Sequence, residues 1–245
     1  MIAESRKGRD ILRYETILLD ADGTLLDFLR SEREAVGDVL RELGASADEE
    51  MIAVYSEIND GLWKELEQGR MQKSVLFYRR FELLFERYGI VADAKETGLR
   101  YMKKLSQKGY VLEGAKEFCR RLSQGARLYI VTNGTEWIQE GRLADSGLLP
   151  YFQEVFISDR IGYPKPKREF FDLIAEQIPN FHKKTTLIVG DSLSSDIAGG
   201  INFGIDTCWY NPGNKAIPAE MEGKITMVAR SFDEMLTYIA EGADR

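Results

Sequence analysis

The sequence predicts an α/β protein built on a parallel sheet, with an all-helical segment set in after the first strand. Three observations carry this reading. Short runs rich in Val, Ile, Leu and aromatics recur with little polar alternation, which is how strands covered on both faces read. Amphipathic stretches of helical period separate the later runs, as in a sheet with helices on both sides. Between the first run and the second, residues 28–108 show helical periodicity alone.

Taken in order, the strand candidates are residues 16–19, 128–131, 155–157, 187–189 and 207–210. Helical patterns cover 114–122, 136–143 and 167–178, so strand and helix alternate through the second half. In the intervening segment Ala35, Val36, Val39, Leu40 and Leu43 recur at helical spacing, with Gly44 as the stop. A second stripe runs through Met51, Val54, Tyr55, Ile58, Leu62 and Leu66 to Gly69, and a third from Leu76 through Phe77, Phe81, Leu84 and Phe85 to Tyr88. A weaker fourth lies around 97–105. The expected organisation is a doubly wound, Rossmann-like core of residues 1–27 and 109–245, with a helical cap of residues 28–108 inserted.

Composition narrows the function classes. The chain has 245 residues, 44% of them hydrophobic and 30% charged, enough to bury a sizeable core under a solvated surface. A net charge of −7 argues against nucleic-acid polymer or anionic-membrane binding as the main activity. No apolar run reaches bilayer-spanning length, and the charged start MIAESRKGRDILRYE does not read as a signal peptide. Two cysteines, Cys119 and Cys208, are too few for a disulfide framework and fit a reducing cytoplasm. Cys208 reads as a buried strand thiol. With one histidine, His182, multi-histidine zinc sites are excluded; it reads as a surface residue before a strand.

The first strand ends in Asp20-Ala21-Asp22-Gly23-Thr24-Leu25. Catalytic groups of open parallel sheets gather beyond the carboxyl ends of the strands. Gly23 favours a sharp exit that swings Asp22 toward the same pocket as Asp20, and a close carboxylate pair calls for a cation or a shared proton. Further on, Leu128-Tyr129-Ile130-Val131-Thr132-Asn133-Gly134 is an apolar strand ending in a hydroxyl, Gly162-Tyr163-Pro164-Lys165-Pro166 carries a lysine in a loop, and a last strand runs into Gly190-Asp191-Ser192-Leu193-Ser194-Ser195-Asp196. Each string alone has a plainer reading as a turn. Together and in this order, they resemble the four motifs of the haloacid dehalogenase-like hydrolase superfamily with a helical cap after the first motif.

That resemblance implies a Mg2+-dependent phosphomonoester hydrolase. Asp20 would be the nucleophile that forms an aspartyl-phosphate, and Asp22 the acid toward the leaving oxygen and then the base toward water. The metal ligands would be the Asp20 carboxylate, the Asp22 main-chain carbonyl and Asp191. Asp196 would stand behind them, on a metal-bound water or on Lys165. The Thr132 hydroxyl and the N–H groups of Asn133 and Gly134 would donate to phosphoryl oxygens, and Lys165 would balance charge. Dehalogenases proper lack the second carboxylate, phosphonate hydrolysis needs an imine-forming cap lysine, and a mutase of this kind needs a cap histidine. Asp22 also separates a hydrolase from a phospho-aspartate signalling module, and the presence of every motif residue argues against a silent binding module.

The substrate would be a small phosphorylated metabolite. The stretch 196–212 resembles the bacterial pyrimidine 5′-nucleotidase branch, which implies nucleoside monophosphates, with sugar phosphates as the alternative. Within the cap, Phe28, Asn59, Trp63 and Arg80 are candidate leaving-group contacts. The plainer readings are hinge packing for Phe28, a core position for Trp63 and a surface helix position for Arg80. A cytoplasmic monomer or homodimer is expected.

Overall fold

The computed structural model describes residues 12–240; the first eleven residues of the expected core segment 1–27, and residues 241–245, lie outside that range. Among the described residues, six parallel strands form one sheet: β1 (Thr16–Leu19), β2 (Arg127–Thr132), β3 (Glu154–Ile157), β4 (Thr186–Gly190), β5 (Asp206–Tyr210) and β6 (Met227–Ala229). Their order is β3-β2-β1-β4-β5-β6. β1 is therefore central, with Leu19 in register with Ile130 on one side and Val189 on the other. The four β1 side chains are all buried, which explains a strand with no polar alternation. The sequence pattern missed β6, a three-residue edge strand in which Met227 and Val228 are only partly buried.

The helices are α1 (Phe28–Glu42), α2 (Glu49–Glu67), α3 (Lys73–Tyr88), α4 (Ala94–Leu105), α5 (Ala115–Leu122), α6 (Glu136–Ser146), α7 (Ser158–Ile161), α8 (Arg168–Gln177), α9 (Ala198–Phe203) and α10 (Phe232–Ala240). A π-turn, Leu193–Ile197, leads into α9. Acidic N-caps start several of them. Asp27 accepts from Arg30 N, Asp48 from Met51 N, and Asp93 from Lys95 N and Glu96 N, each satisfying backbone donors that the first turn leaves open.

By contacts the chain divides into two compact units. One holds the sheet, with Leu18, Tyr129, Val131, Phe170, Phe171 and Ile188 among the buried residues of a core cluster. The other comprises residues 27–110 and 137–146. Its interior is Ala35, Val36, Val39, Leu40, Tyr55, Phe81, Leu84 and Tyr101, the stripes of the sequence pattern, and Ile138 of α6 joins that cluster. Burying one stripe from each helix supplies the stability that short isolated helices lack. Most of α6, which the sequence alternation assigns to the core segment, thus packs with α1–α4.

Candidate active site

Asp20, Thr132 and Asp191 sit at the carboxyl ends of β1, β2 and β4, while Lys165 lies in the loop beyond α7 and Asp196 in the π-turn. Asp20 directly follows β1, and its N–H continues the ladder to the Val189 carbonyl at 2.9 Å. The chain then turns sharply. Leu25 and Leu26 donate back to the Ala21 carbonyl, and Gly23 N–H donates to the Leu26 carbonyl at 3.0 Å. Gly23 has φ +76°, and a β-carbon there would lie 2.5 Å from Asp191 Oδ2. Only glycine lets the turn take this conformation and approach that carboxylate so closely.

Lys165 is the hub. It is 1% exposed, and its ammonium donates to Asp20 Oδ1 at 2.6 Å, to the Val131 carbonyl at 2.7 Å and to Asp196 Oδ1 at 2.7 Å. All three of its protons are used. The Lys165 backbone is held in turn by the Asn133 side chain, which accepts from Lys165 N at 2.8 Å and donates to Lys165 O at 2.9 Å. The loops after β2 and β3 are thereby locked together. A second tie joins Glu136 N–H to Asp159 Oδ2 at 3.1 Å.

Asp191 follows β4. Its carbonyl accepts from Trp209 Nε1 of β5 at 3.0 Å, and its Oδ1 lies 3.4 Å from the hydroxyl of the fully buried Thr24. Carboxylate oxygens of Asp20, Asp191 and Asp196 all lie within 4.8 Å of one another. Asp196 is already engaged on both sides, by Lys165 at Oδ1 and by Ser192 N–H at Oδ2, 3.2 Å. The Thr132 hydroxyl, at the end of β2, accepts from Gly134 N–H at 3.1 Å.

The electrostatics follow from crowding. Burial holds the Asp20 carboxyl well above the ordinary range; the Lys165 charge opposes this, and Asp196 and Asp191 reinforce it. Enclosure, and then the Asp196 charge, pushes Asp191 up to about 7, although this residue is the most open of the three. Burial would lower Lys165, but the charges of Asp196 and Asp20 outweigh it and hold the ammonium above its ordinary value. Three carboxylates face one ammonium, so the oxygen-only cluster carries excess negative charge. That donor chemistry fits a hard divalent cation.

The cap candidates lie in the helical unit. Phe28 opens α1, half-buried against that unit's apolar cluster, with the Arg142 guanidinium 5.5 Å from its ring centroid. Trp63 is half-buried on α2, with the Lys73 ammonium 5.9 Å from its ring. Arg80 is not a surface position: it is 3% exposed. Its Nη1 donates to Asn59 Oδ1 at 3.1 Å, and its guanidinium lies 4.4 Å from the Tyr101 ring centroid. Asn59 donates on to Glu32 Oε1 at 2.7 Å, and Ser56 donates to Glu32 Oε2 at 2.7 Å. This interior polar chain escaped the sequence reading, as did the supporting roles of Asn133, Thr24 and Trp209. His182 is exposed, and Cys208 is buried on β5.

Residues 14–204 match the family described as haloacid dehalogenase-like hydrolase. The chain is 43% identical to the pyrimidine 5′-nucleotidase PynA of Streptococcus pneumoniae, over 81% of this chain and 84% of that protein. It is 30% identical to the pyrimidine 5′-nucleotidase YjjG of Escherichia coli, over 84% and 90%. Among solved structures, that of the HAD-hydrolase YfnB from Bacillus subtilis bound to magnesium superposes with a TM-score of 0.88 at 38% identity, covering 93% of this chain and 99% of that one. With that match over most of its length, the chain belongs to the haloacid dehalogenase-like hydrolase family.

Proposed function

We propose that the protein is a Mg2+-dependent phosphomonoester hydrolase acting through an aspartyl-phosphate, with nucleoside monophosphates as its substrates. The observation that carries the chemistry is the buried Lys165 ammonium, shared between Asp20 and Asp196 beside Asp191. Similarity to two pyrimidine 5′-nucleotidases supports the substrate class.

Asp20, the Asp22 main-chain carbonyl and Asp191 are the residues that would hold Mg2+. The bound ion would offset charge on the phosphate oxygens. Asp196 is assigned to orienting Lys165, since both its oxygens are already engaged. Asp20 attacks phosphorus through a carboxylate oxygen, and the P–O bond to the leaving group breaks. Lys165, fixed by Asn133, keeps the Asp20 side chain aligned and neutralises charge as it develops. Asp22 gives its proton to the leaving oxygen. It then takes one from the water that attacks phosphorus, releasing phosphate and restoring Asp20. Thr132 and the N–H groups of Asn133 and Gly134 receive the phosphoryl oxygens; Gly134 N–H must leave the Thr132 hydroxyl to do so. Phe28 and Trp63 keep part of their ring surface exposed and are assigned to the leaving group.

The test is phosphate release from nucleoside monophosphates, sugar phosphates and an aryl phosphate, with and without Mg2+, using Asp20→Asn as the control. Metal-dependent turnover confined to nucleotides and lost in the variant is expected. A preference for sugar phosphates would retain the chemistry and discard the substrate, and no turnover of any ester would refute both.

A further inference from the structure

Asp191 takes its direction from one peptide group. The ladder between β4 and β5 ends with Gly190 in register with Trp209, so the Asp191 carbonyl lies beyond the last pair. It accepts instead from the indole Nε1 of that same Trp209, at 3.0 Å. The other end of the planar unit, Ser192 N–H, donates to Asp196 Oδ2 at 3.2 Å. One peptide plane is thus held at both ends, and the Asp191 side chain leaves from the α-carbon beside it.

The bonds continue into the site. Asp196 Oδ1 accepts from Lys165 at 2.7 Å, and Lys165 donates on to Asp20 at 2.6 Å. Gly23 and Thr24 bound the Asp191 carboxylate from the turn after β1, with a β-carbon at Gly23 falling 2.5 Å from Oδ2 and the Thr24 hydroxyl 3.4 Å from Oδ1. These two limit the carboxylate, but they do not hold its main chain. Trp209 does. It is 2% exposed on β5, and every residue in this chain of contacts belongs to the sheet unit. A purely apolar ring would fill the same space and leave the Asp191 carbonyl without its donor.

We infer that Trp209 is a positioning residue for the divalent cation: by fixing the 191–192 peptide, it aims the Asp191 carboxylate at the ion and steadies Asp196 against Lys165. Without the indole N–H the peptide can turn, and the carboxylate spreads over several directions. Partners one bond behind a metal ligand typically change metal affinity by about 10–100-fold when removed. This inference rests on the assignment of Asp191 to Mg2+ under the proposed function.

The test is calorimetric titration of the full chain with Mg2+ in the absence of substrate. Trp209→Phe, which keeps an aromatic ring and removes the donor, is expected to weaken the Mg2+ Kd about 10-fold. Cys208→Ala, at the fully buried neighbour on the same strand, is the packing control; it should lower Tm and leave the Kd unchanged. A wild-type Kd in Trp209→Phe, or an equal weakening in both variants, overturns the inference. If Trp209→Phe does not fold, fluorescence decides. With Trp63 and Trp137 both replaced by Phe, Trp209 is the sole tryptophan of the chain. Its emission should change on adding Mg2+ and saturate with the calorimetric Kd; emission that ignores saturating Mg2+ overturns the inference. Failure of the wild-type chain to bind Mg2+ refutes the metal assignment and the inference with it, whereas wild-type binding with an unmoved Kd in Trp209→Phe refutes only the role of Trp209.

Discussion

Glu32→Gln isolates the cost of one buried charge in the helical unit. Glu32 is 1% exposed on α1. Burial pushes its carboxyl up from 4.5 to about 7; Ser56, Arg80 and Asn59 oppose the shift, and Asp60 adds to it. The Tyr55 and Tyr101 rings complete the surroundings. In the unfolded chain the group ionises near 4.5, so between that pH and about 7 the folded state binds the extra proton. Stability therefore falls as pH rises through this window, is unaffected below it and bears the full cost above it. Linkage puts that cost at about 1 kcal/mol at pH 5 and about 3 kcal/mol at pH 8. Glutamine cannot ionise, and it can still accept from Asn59 while donating to the Ser56 hydroxyl. Urea unfolding of both proteins across this range should show the variant gaining about 2 kcal/mol on the wild type between pH 5 and pH 8. A difference that stays constant with pH would refute the reading of Glu32 as a buried group that is charged only at a cost.

Three other outcomes are expected. Lys165→Met leaves Asp20 and Asp196 buried without their shared cation. It should cost about 3–5 kcal/mol in urea unfolding without metal, and phosphate release should fall about 10²–10³-fold. Gly23→Ala places a β-carbon against Asp191 at a positive φ. It should cost about 1–2 kcal/mol and, by displacing that carboxylate, should raise the Mg2+ concentration needed for half-maximal turnover. Mg2+ at a hundred times its Kd should stabilise the folded chain by about 2.7 kcal/mol, seen as a rise in Tm that Asp191→Asn abolishes.

The sheet and the candidate site were legible because the motif residues are local in sequence. Asp20 and Asp22 share one turn, Thr132 to Gly134 another, and Asp191 to Asp196 a third, each following a strand whose unbroken apolar run marks it. Five strands showed themselves this way. β6 did not, since a three-residue edge strand is too short to carry a pattern. The supports of the site were hidden for a different reason. Asn133 reads as a turn residue, and only the fold shows its amide bonded to both backbone groups of Lys165. Trp209 reads as an ordinary strand aromatic, and nothing local says that its indole holds the Asp191 carbonyl.

The helical unit carried a signal that the stripes contained but hydrophobicity alone does not read. Glu32 precedes Val36 by one turn, Asn59 follows Tyr55 by one turn, and Arg80 lies one turn from both Leu76 and Leu84. All three polar residues therefore sit on the apolar faces of their helices. A charge on a buried face must find a partner or change its protonation. Three such residues on three successive helices point to one another, and the structure joins them through Asn59. The same reasoning applies to Arg142, one turn beyond Ile138 on α6. Its place on an inward face was visible, but its partners were not, because two of them, the Lys108 carbonyl and the Ser31 hydroxyl, lie on segments that come together only when α1–α4 fold. Polar residues on apolar stripes thus mark where a helical insert is tied together.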